Sequence, residues 1–186
     1  MIEKLLKVQV HKRQLQGDSV VVLDLIPVGN NTLPAFEAGA HVDIHIAPGL
    51  VRQYSLCGDP AKEALYRLGV LRDPASRGGS RGVYDRLVEG AEVQISAPRN
   101  LFPLAREASL SILIGGGIGI TPMIAMAYAL YAKNEDFELH YCGRSRSHSA
   151  FLDELRNADF AERVHTHFDD EAPGQALDLD RVLDQA

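Results

Sequence analysis

The stretch LIGGGIGITP, residues 113–122, is the most glycine-dense run in the chain. An apolar segment leads into it (residues 110–115), which predicts a buried strand, and the following residues 121–133 predict a helix. It is not a phosphate loop of the lysine type, and Ile120 stands where the strict G-x-G-x-x-G pattern needs its third glycine. A strand, a glycine turn and a helix N-terminus suit a pyrophosphate. Tight helix–strand packing without a ligand explains the run equally well.

The chain after this run alternates strand and helix. FELHYCG (residues 137–143) and RVHTHF (residues 163–168) predict strands, while residues 149–158 and 177–185 predict helices. Such alternation is typical of a parallel α/β sheet. About three strands are predicted where a doubly wound nucleotide domain usually has five or six. We therefore expect the sequence to be a fragment of a longer protein.

The chain before the run has a different pattern. Its short alternating or β-branched segments are separated by turn residues, which indicates a small antiparallel barrel or sandwich. One segment, SRGVYDRLV (residues 80–88), has helical spacing instead and follows Gly78 and Gly79. The pattern changes at about residues 101–108, so we predict two domains, residues 1–104 and 105–186. The predicted strands are LLKVQVHK, SVVVLDLIPV, HVDIHI, LYRLGVLR and EVQISAP.

Composition narrows the classes of function. The 186 residues are 46% hydrophobic and 24% charged, with a net charge of −6, which argues against a nucleic-acid ligand. No apolar run is long enough to cross a bilayer, and two distant cysteines indicate neither a disulfide framework nor a metal site. We expect a cytoplasmic protein with no membrane partner. Residues 52–86 nevertheless hold seven basic and four acidic residues, which suggests a small anionic ligand or a solvated face.

Three further motifs could contact a ligand. In RQYSL (residues 52–56) an arginine and a tyrosine share one strand face, which could supply an anion clamp and an aromatic platform. RGGS (residues 77–80) opens the short helix, where Ser80 could serve as the N-cap or donate its hydroxyl. YCGRSR (residues 141–146) ends a strand at the edge where α/β sheets bind ligands. Taken singly, a barrel strand, a plain turn and a loop explain each motif as well.

Taken in order, these motifs resemble the ferredoxin–NADP reductase superfamily. Within it, the likeness is to the phthalate dioxygenase reductase group, which serves Rieske oxygenases such as vanillate demethylases, and it spans nearly the whole chain. The resemblance implies an antiparallel six-stranded flavin-binding barrel, followed by a parallel α/β nicotinamide-binding domain that is incomplete here. It implies FMN, NADH with NADPH as the alternative, and an oxygenase of the Rieske type as the partner.

The resemblance also implies roles for particular residues. Arg52 would hold the FMN phosphate, Tyr54 would stack on the isoalloxazine, and Ser55 would lie near flavin N5 as the catalytic residue. The neighbouring Gln53 is expected in the same flavin site. The remaining expected flavin contacts are Gly69, Val70, Leu71, Gly78, Gly79 and Ser80. The expected dinucleotide contacts are Gly116, Gly117 and Thr121, with Arg144 and Ser145 near the adenosine end.

Two motifs of the group are absent from residues 1–186. These are the late C-G-P-type motif that helps to seat the nicotinamide and the C-x₄-C-x₂-C spacing of a [2Fe–2S] cluster. We expect both beyond Ala186, in a longer protein. A flavin reductase that releases reduced flavin, and a non-catalytic nucleotide-binding module on the same fold, are the alternatives.

Other polar and sulfur-containing residues are expected to be structural. His41, Asp43 and His45 share a strand face that we expect to be solvated, and no metal site is predicted. His165 and His167 are expected to flank a strand with no other ligand nearby. Met123 and Met126 are predicted to belong to the core of the helix.

Overall fold

The strands between Leu6 and Asn100 form an antiparallel sheet. The computed structural model describes residues 5–172 and 175–184. The strands follow the order β4-β3-β6-β1-β2-β5, with β7 paired to β3. A single antiparallel bridge between Leu56 and Leu68 joins the end of β4 to β5 and closes the sheet into a barrel. The strands are β1 Leu6–Gln16, β2 Val20–Pro27, β3 Ala40–Ala47, β4 Leu50–Ser55, β5 Tyr66–Leu71, β6 Glu92–Ile95 and β7 Arg99–Asn100.

Side-chain alternation explains these strands. In β3, Val42, Ile44 and Ile46 are buried while the residues between them are half-buried, as the period of two requires. In β2, every residue from Val20 to Leu25 is buried, so this strand is covered on both faces. The predicted six-stranded barrel is therefore confirmed. The two-residue strand β7 is an addition that the sequence pattern did not indicate.

A short helix, α1 (Gly79–Arg86), connects β5 to β6. Gly78 precedes it with a φ of 88°, a left-handed conformation that favours glycine. The suggestion that Ser80 is the N-cap is wrong, because the helix already begins at Gly79. The Ser80 hydroxyl instead accepts a hydrogen bond from the backbone N–H of Asp73 at 3.1 Å. It thereby ties the helix to the preceding loop.

The second sheet is parallel, in the order β10-β9-β8, as predicted. The helix after the glycine run is also confirmed, entered through a 3₁₀ turn at Gly117–Gly119. Helix α3 is shorter than predicted, because Phe151 before it has a φ of 64° and cannot continue a right-handed helix. The elements are β8 Ser111–Gly116, α2 Ile120–Ala132, β9 Phe137–Gly143, α3 Leu152–Arg156, β10 Val164–Phe168 and α4 Leu179–Asp184.

The barrel and the parallel sheet pack against each other. The Arg67 guanidinium on β5 donates to both carboxylate oxygens of Asp24 on β2, at 2.7 and 3.1 Å. It also donates to Glu154 of α3 at 3.1 Å, and Glu154 accepts a further bond from the Tyr128 hydroxyl of α2. Hydrogen bonding to Asp24 raises the pKa of Arg67, so the cation is permanent. One arginine thus connects both parts of the molecule.

The position of the domain boundary stays a prediction. The last barrel strand ends at Asn100 and the first strand of the parallel sheet begins at Ser111. Met126 is buried in α2, and Met123 packs against the core, as expected. None of the helices in residues 5–172 and 175–184 has the length and apolar character needed to cross a bilayer.

Candidate flavin and dinucleotide site

The glycine run contains two kinds of glycine. A Cβ on buried Gly115 would lie 2.7 Å from the Cα of Ile120, so this residue allows β8 and α2 to pack closely. A Cβ on Gly116 or Gly117 would meet no atom within 4 Å, and Gly117 has a φ of +51°. The space beside these two exposed glycines is open. Their backbone can therefore be approached by a ligand.

Thr121 lies deeper than the dinucleotide role predicted for it would suggest. Its side chain is 6% exposed, and its hydroxyl donates to the carbonyl of Ile118 at 3.0 Å. Its methyl group would lie 2.9 Å from a Cβ on Gly69, and the ring of Phe151 would lie 2.8 Å from the same point. Gly69 and Thr121 are therefore packing partners across the contact between the two sheets. Their contacts with cofactors remain predictions.

Arg52 lies across the start of α1. Its guanidinium donates to the carbonyls of Val51 at 2.8 Å and Arg77 at 3.4 Å. A Cβ on Gly79 would lie 2.6 Å from the Arg52 Nε, so the glycine makes room for the cation. In the described ranges no carboxylate lies within ion-pair distance of Arg52. A half-buried cation beside a helix N-terminus is a suitable partner for a phosphate.

A second group of predicted residues lines a shallow cavity of about 270 Å³. Gln53, Tyr54 and Ser55 of β4 form one wall, and Phe102 contributes to another. Burial raises the pKa of the Tyr54 phenol, although the Arg52 charge opposes this, so the ring stays neutral at physiological pH. His41 also lines the cavity, and its Nε2 is buried without a hydrogen-bond partner among the described residues. A polar ligand in this cavity could pair with it.

The face formed by His41, Asp43 and His45 is not the solvated surface that we expected. All three residues are half-buried. Arg99 donates to Asp43 at 2.6 Å. Burial alone would raise the pKa of Asp43, but hydrogen bonds from Arg99 and Gln53 outweigh it and lower the pKa. Arg99 covers Asp43, and Phe102 lies on the cavity wall with His41, contacts that the periodicity of β3 could not reveal.

A second cavity, of about 400 Å³, lies between the two sheets. The barrel contributes Leu71 and the loop that follows it, while the parallel sheet contributes Gly117, Gly143 and Arg144. The cavity therefore brings together Leu71, a predicted flavin contact, and Gly117 and Arg144, two predicted dinucleotide contacts. Leu71 is 38% exposed, whereas Val70 beside it is buried and faces the core.

The loop after β9 carries the residues predicted for the adenosine end. Arg144 is exposed, and its guanidinium has no hydrogen-bond or ion-pair partner in the described part of the chain. Ser145 contacts His148 Nδ1 through its hydroxyl at 2.7 Å. Arg146 differs from Arg144, since it pairs with Glu171 at 2.6 Å. Arg144 is thus the arginine of this loop that is available to an anion.

Sequence reasoning missed a group of histidines on the parallel sheet. His165 and His167 do have neighbours, contrary to expectation. His140 Nδ1 lies 3.1 Å from His167 Nε2, and the His140 and His165 rings stack with centroids 4.9 Å apart. The alternate positions of His165 and His167 in the sequence indicated that both lie on one face of β10. Only the register of β10 against β9 shows that His140 lies on the same face beside them.

Comparisons with known proteins find similar sequences and structures. No protein-family model matches the chain. It is 50% identical over 171 residues to the vanillate O-demethylase oxidoreductase of Pseudomonas putida, covering 92% of this chain and 53% of that protein. It is 41% identical over 155 residues to the phthalate dioxygenase reductase of Burkholderia cepacia, covering 83% and 48%. The solved structure of a phthalate dioxygenase reductase superposes with a TM-score of 0.91 at 36% identity, covering 98% of this chain and 57% of that one.

An antiparallel barrel joined to a parallel α/β sheet is the architecture of the ferredoxin reductase class. The chain spans about half the length of the curated relatives that it matches. It belongs to the ferredoxin–NADP reductase superfamily and, within it, to the phthalate dioxygenase reductase-like group.

Proposed function

We propose that this chain is the flavin- and nicotinamide-binding part of an oxygenase reductase, which takes electrons from NAD(P)H through FMN. The observation that carries the proposal is the cavity of about 400 Å³ between the sheets. Leu71 reaches it from the barrel, and Gly117 and Arg144 reach it from the parallel sheet. A single space bounded by both parts allows two cofactors to meet, which is what positioning for electron transfer requires.

The barrel residues fit a flavin mononucleotide. Arg52 has a charge that no described carboxylate neutralises, and Gly79 leaves room for its guanidinium over the helix start. We assign the phosphate to Arg52, Gly78, Gly79 and Ser80. The ring is assigned to Gln53, Tyr54 and Ser55 of β4, with Gly69, Val70 and Leu71 of β5 as its further contacts. Leu71 also lines the cavity between the sheets, where the nicotinamide would approach the ring. When bound, FMN supplies the conversion of two-electron into one-electron transfer.

Ser55 is the residue that we propose to be catalytic. Its half-buried hydroxyl lies at the end of β4, on the wall of the smaller cavity. By family resemblance it donates a hydrogen bond at flavin N5. Tyr54 provides a neutral, half-buried aromatic platform next to it. The protein thus contributes placement and hydrogen bonding, while the cofactor contributes the redox chemistry.

The dinucleotide is assigned to the edge of the parallel sheet. Gly116 and Gly117 leave open space at the N-terminal end of α2, where backbone N–H groups suit a pyrophosphate. Thr121 stabilises this turn through its bond to Ile118. Arg144 and Ser145 are assigned to the adenosine end. The exposed arginine suits either a ribose hydroxyl or a 2′-phosphate, and we propose NADH as the donor by resemblance.

The partner is assigned by the relatives. Their names describe a vanillate O-demethylase oxidoreductase, a phenoxybenzoate dioxygenase subunit and a phthalate dioxygenase reductase. These names support an oxygenase as the acceptor of electrons for this protein as well. We propose that the acceptor is of the Rieske type, reached through a [2Fe–2S] domain of the longer protein.

The first test measures FMN affinity by quenching of flavin fluorescence. We expect Arg52→Ala to weaken binding about 10- to 100-fold, because a charge-assisted hydrogen bond is worth about 1.5–3 kcal/mol. Arg81→Ala is the matched control, since Arg81 is exposed on α1, the helix whose start Arg52 crosses, and pairs with Asp85. Equal affinity of the Arg52 variant and the wild type would remove the phosphate assignment.

The second test separates chemistry from binding in the full-length protein. We expect Ser55→Ala to retain FMN with nearly normal affinity but to be reduced more slowly by NADH in stopped-flow absorbance measurements. The physical reason is the loss of one hydrogen-bond donor at the reacting atom, typically worth about 10²-fold or more in rate. An unchanged reduction rate would exclude Ser55 from the mechanism.

A further inference from the structure

One face of the parallel sheet carries a cluster of imidazoles that the proposed function does not use. His140 lies on β9, and His165 and His167 lie on β10. His140 is 4% exposed, and its ring stacks against both of the others, with centroids 4.9 and 5.3 Å away. A polar cavity of about 770 Å³ adjoins the cluster, bounded also by Glu138 and Arg181.

The outer nitrogens of two of these rings are held by acceptors. His140 Nε2 lies 3.1 Å from a carboxylate oxygen of Glu138, and His167 Nδ1 lies 2.9 Å from the carbonyl of Gln175. A carbonyl and an ionised carboxylate accept hydrogen bonds and cannot donate them. Both contacts are hydrogen bonds only when His140 Nε2 and His167 Nδ1 each carry a proton.

The inner nitrogens of the same two rings then face each other as lone pairs. His140 Nδ1 and His167 Nε2 are 3.1 Å apart, and a neutral imidazole has only one N–H. Either tautomer of neutral His140 leaves lone pairs opposed, at His167 or at Glu138. A metal cation bound by both nitrogens would satisfy the two lone pairs at once.

We propose that His140 Nδ1 and His167 Nε2 bind a transition-metal cation of the kind that prefers imidazole, with Zn²⁺ as the reference. Two ligands on tetrahedral zinc, each with a bond of about 2.0–2.1 Å, are about 3.3 Å apart, close to the separation observed. The contacts to Glu138 and Gln175 are those that usually orient metal-binding histidines. No group of three or more His, Cys, Asp or Glu converges on one point in residues 5–172 and 175–184, so water from the cavity completes the coordination.

Such a site would join β10, at the edge of the described sheet, to β9. The proposal does not depend on flavin or nucleotide binding, so it can fail or succeed separately from the proposed function. The test titrates the purified chain with Zn²⁺ by calorimetry and records the visible spectrum of the Co²⁺ form. We expect one site and the intense absorption bands of tetrahedral Co²⁺.

Three variants make the test specific. His167→Gln removes one ligand and should abolish the Co²⁺ bands, and Glu138→Ala should weaken Zn²⁺ binding about 10- to 100-fold through the lost contact to His140. His165→Gln is the matched control, because its ring stacks on His140 without a nitrogen contact to it. It should bind as the wild type does. Circular dichroism checks that each variant is folded.

Three results would overturn the proposal. They are no Zn²⁺ binding by the wild type, equal binding by His167→Gln, and equal loss in His165→Gln. If ¹⁵N NMR of the imidazoles instead reveals a proton shared by His140 and His167 while Zn²⁺ leaves both signals unchanged, the pair is a hydrogen-bonded dyad and not a metal site.

Discussion

The glycine turn before α1, at Gly78 and Gly79, and the one before α2, at Gly115 and Gly116, both combine close packing with room for a ligand, but their packing neighbours differ. In the barrel, Gly79 gives its side-chain space to Arg52, while Gly78 is left-handed and a Cβ there would touch only Leu50 Cδ2, at 4.0 Å. In the parallel sheet, Gly115 gives its space to the backbone of Ile120, while Gly116 lies open. Each turn thus has one glycine required by packing and one beside which a Cβ would not clash. What differs is the neighbour of the packing glycine, a flexible side chain in one turn and a rigid helix backbone in the other.

The largest loss of stability is expected at Gly115, whose neighbour is the rigid backbone of α2. Gly115→Ala places a methyl group 2.7 Å from the Ile120 Cα, and a helix backbone cannot move aside as a side chain can. We expect destabilisation of about 1–3 kcal/mol, the usual cost of overpacking a core. Urea unfolding followed by circular dichroism measures it. Wild-type stability would show that β8 and α2 can separate without cost.

A smaller effect on stability is expected at the flexible neighbour. In Gly79→Ala the methyl group displaces Arg52, while alanine gains up to about 1 kcal/mol of helix propensity. We expect the free energy of unfolding to stay within about 1 kcal/mol of the wild type. FMN affinity should nevertheless fall about tenfold, since 1.4 kcal/mol of lost interaction gives that factor. Unchanged affinity together with unchanged stability would mean that the position of Arg52 does not matter to the flavin.

The smallest effect on stability is expected at an open glycine. In Gly116→Ala the new methyl group meets no protein atom within 4 Å, so the free energy of unfolding should change by no more than about 0.5 kcal/mol. The affinity of the Gly116→Ala variant for NADH should fall, because the alanine methyl group occupies space that we assign to the dinucleotide. Calorimetric titration of the full-length protein measures this. Wild-type affinity would move the dinucleotide away from this turn.

The sequence predicted what local patterns determine. Alternation located β3, the apolar run located β8, and the four helices were found within a few residues. The pattern could not show that Phe151 has a positive φ, which shortens α3. That conformation depends on contacts with Gln16 and Gly69, which lie far away in sequence.

The site divides in the same way. The motifs around Arg52 and Gly116 could be found, because each combines a residue type with a local turn. The contact of Thr121 with Gly69 and the meeting of His140 with His167 could not be found from periodicity. Each is a contact between elements distant in sequence, set by strand register or by the packing of one sheet on the other. Only the three-dimensional structure contains that information.

The Arg67 network gives the barrel and the parallel sheet different dependence on each other for charge pairing. Asp24 and Arg67 are directly opposite on neighbouring barrel strands, so the barrel neutralises its own buried carboxylate even when it stands alone. Glu154 and Tyr128 belong to the other part and lose their cation if the two separate. The barrel can therefore survive detachment with its charges balanced, whereas the parallel sheet would expose an unmatched anion. This asymmetry makes the parallel sheet depend on the barrel for the cation that pairs with Glu154, whereas the barrel does not depend on the parallel sheet for its own ion pair.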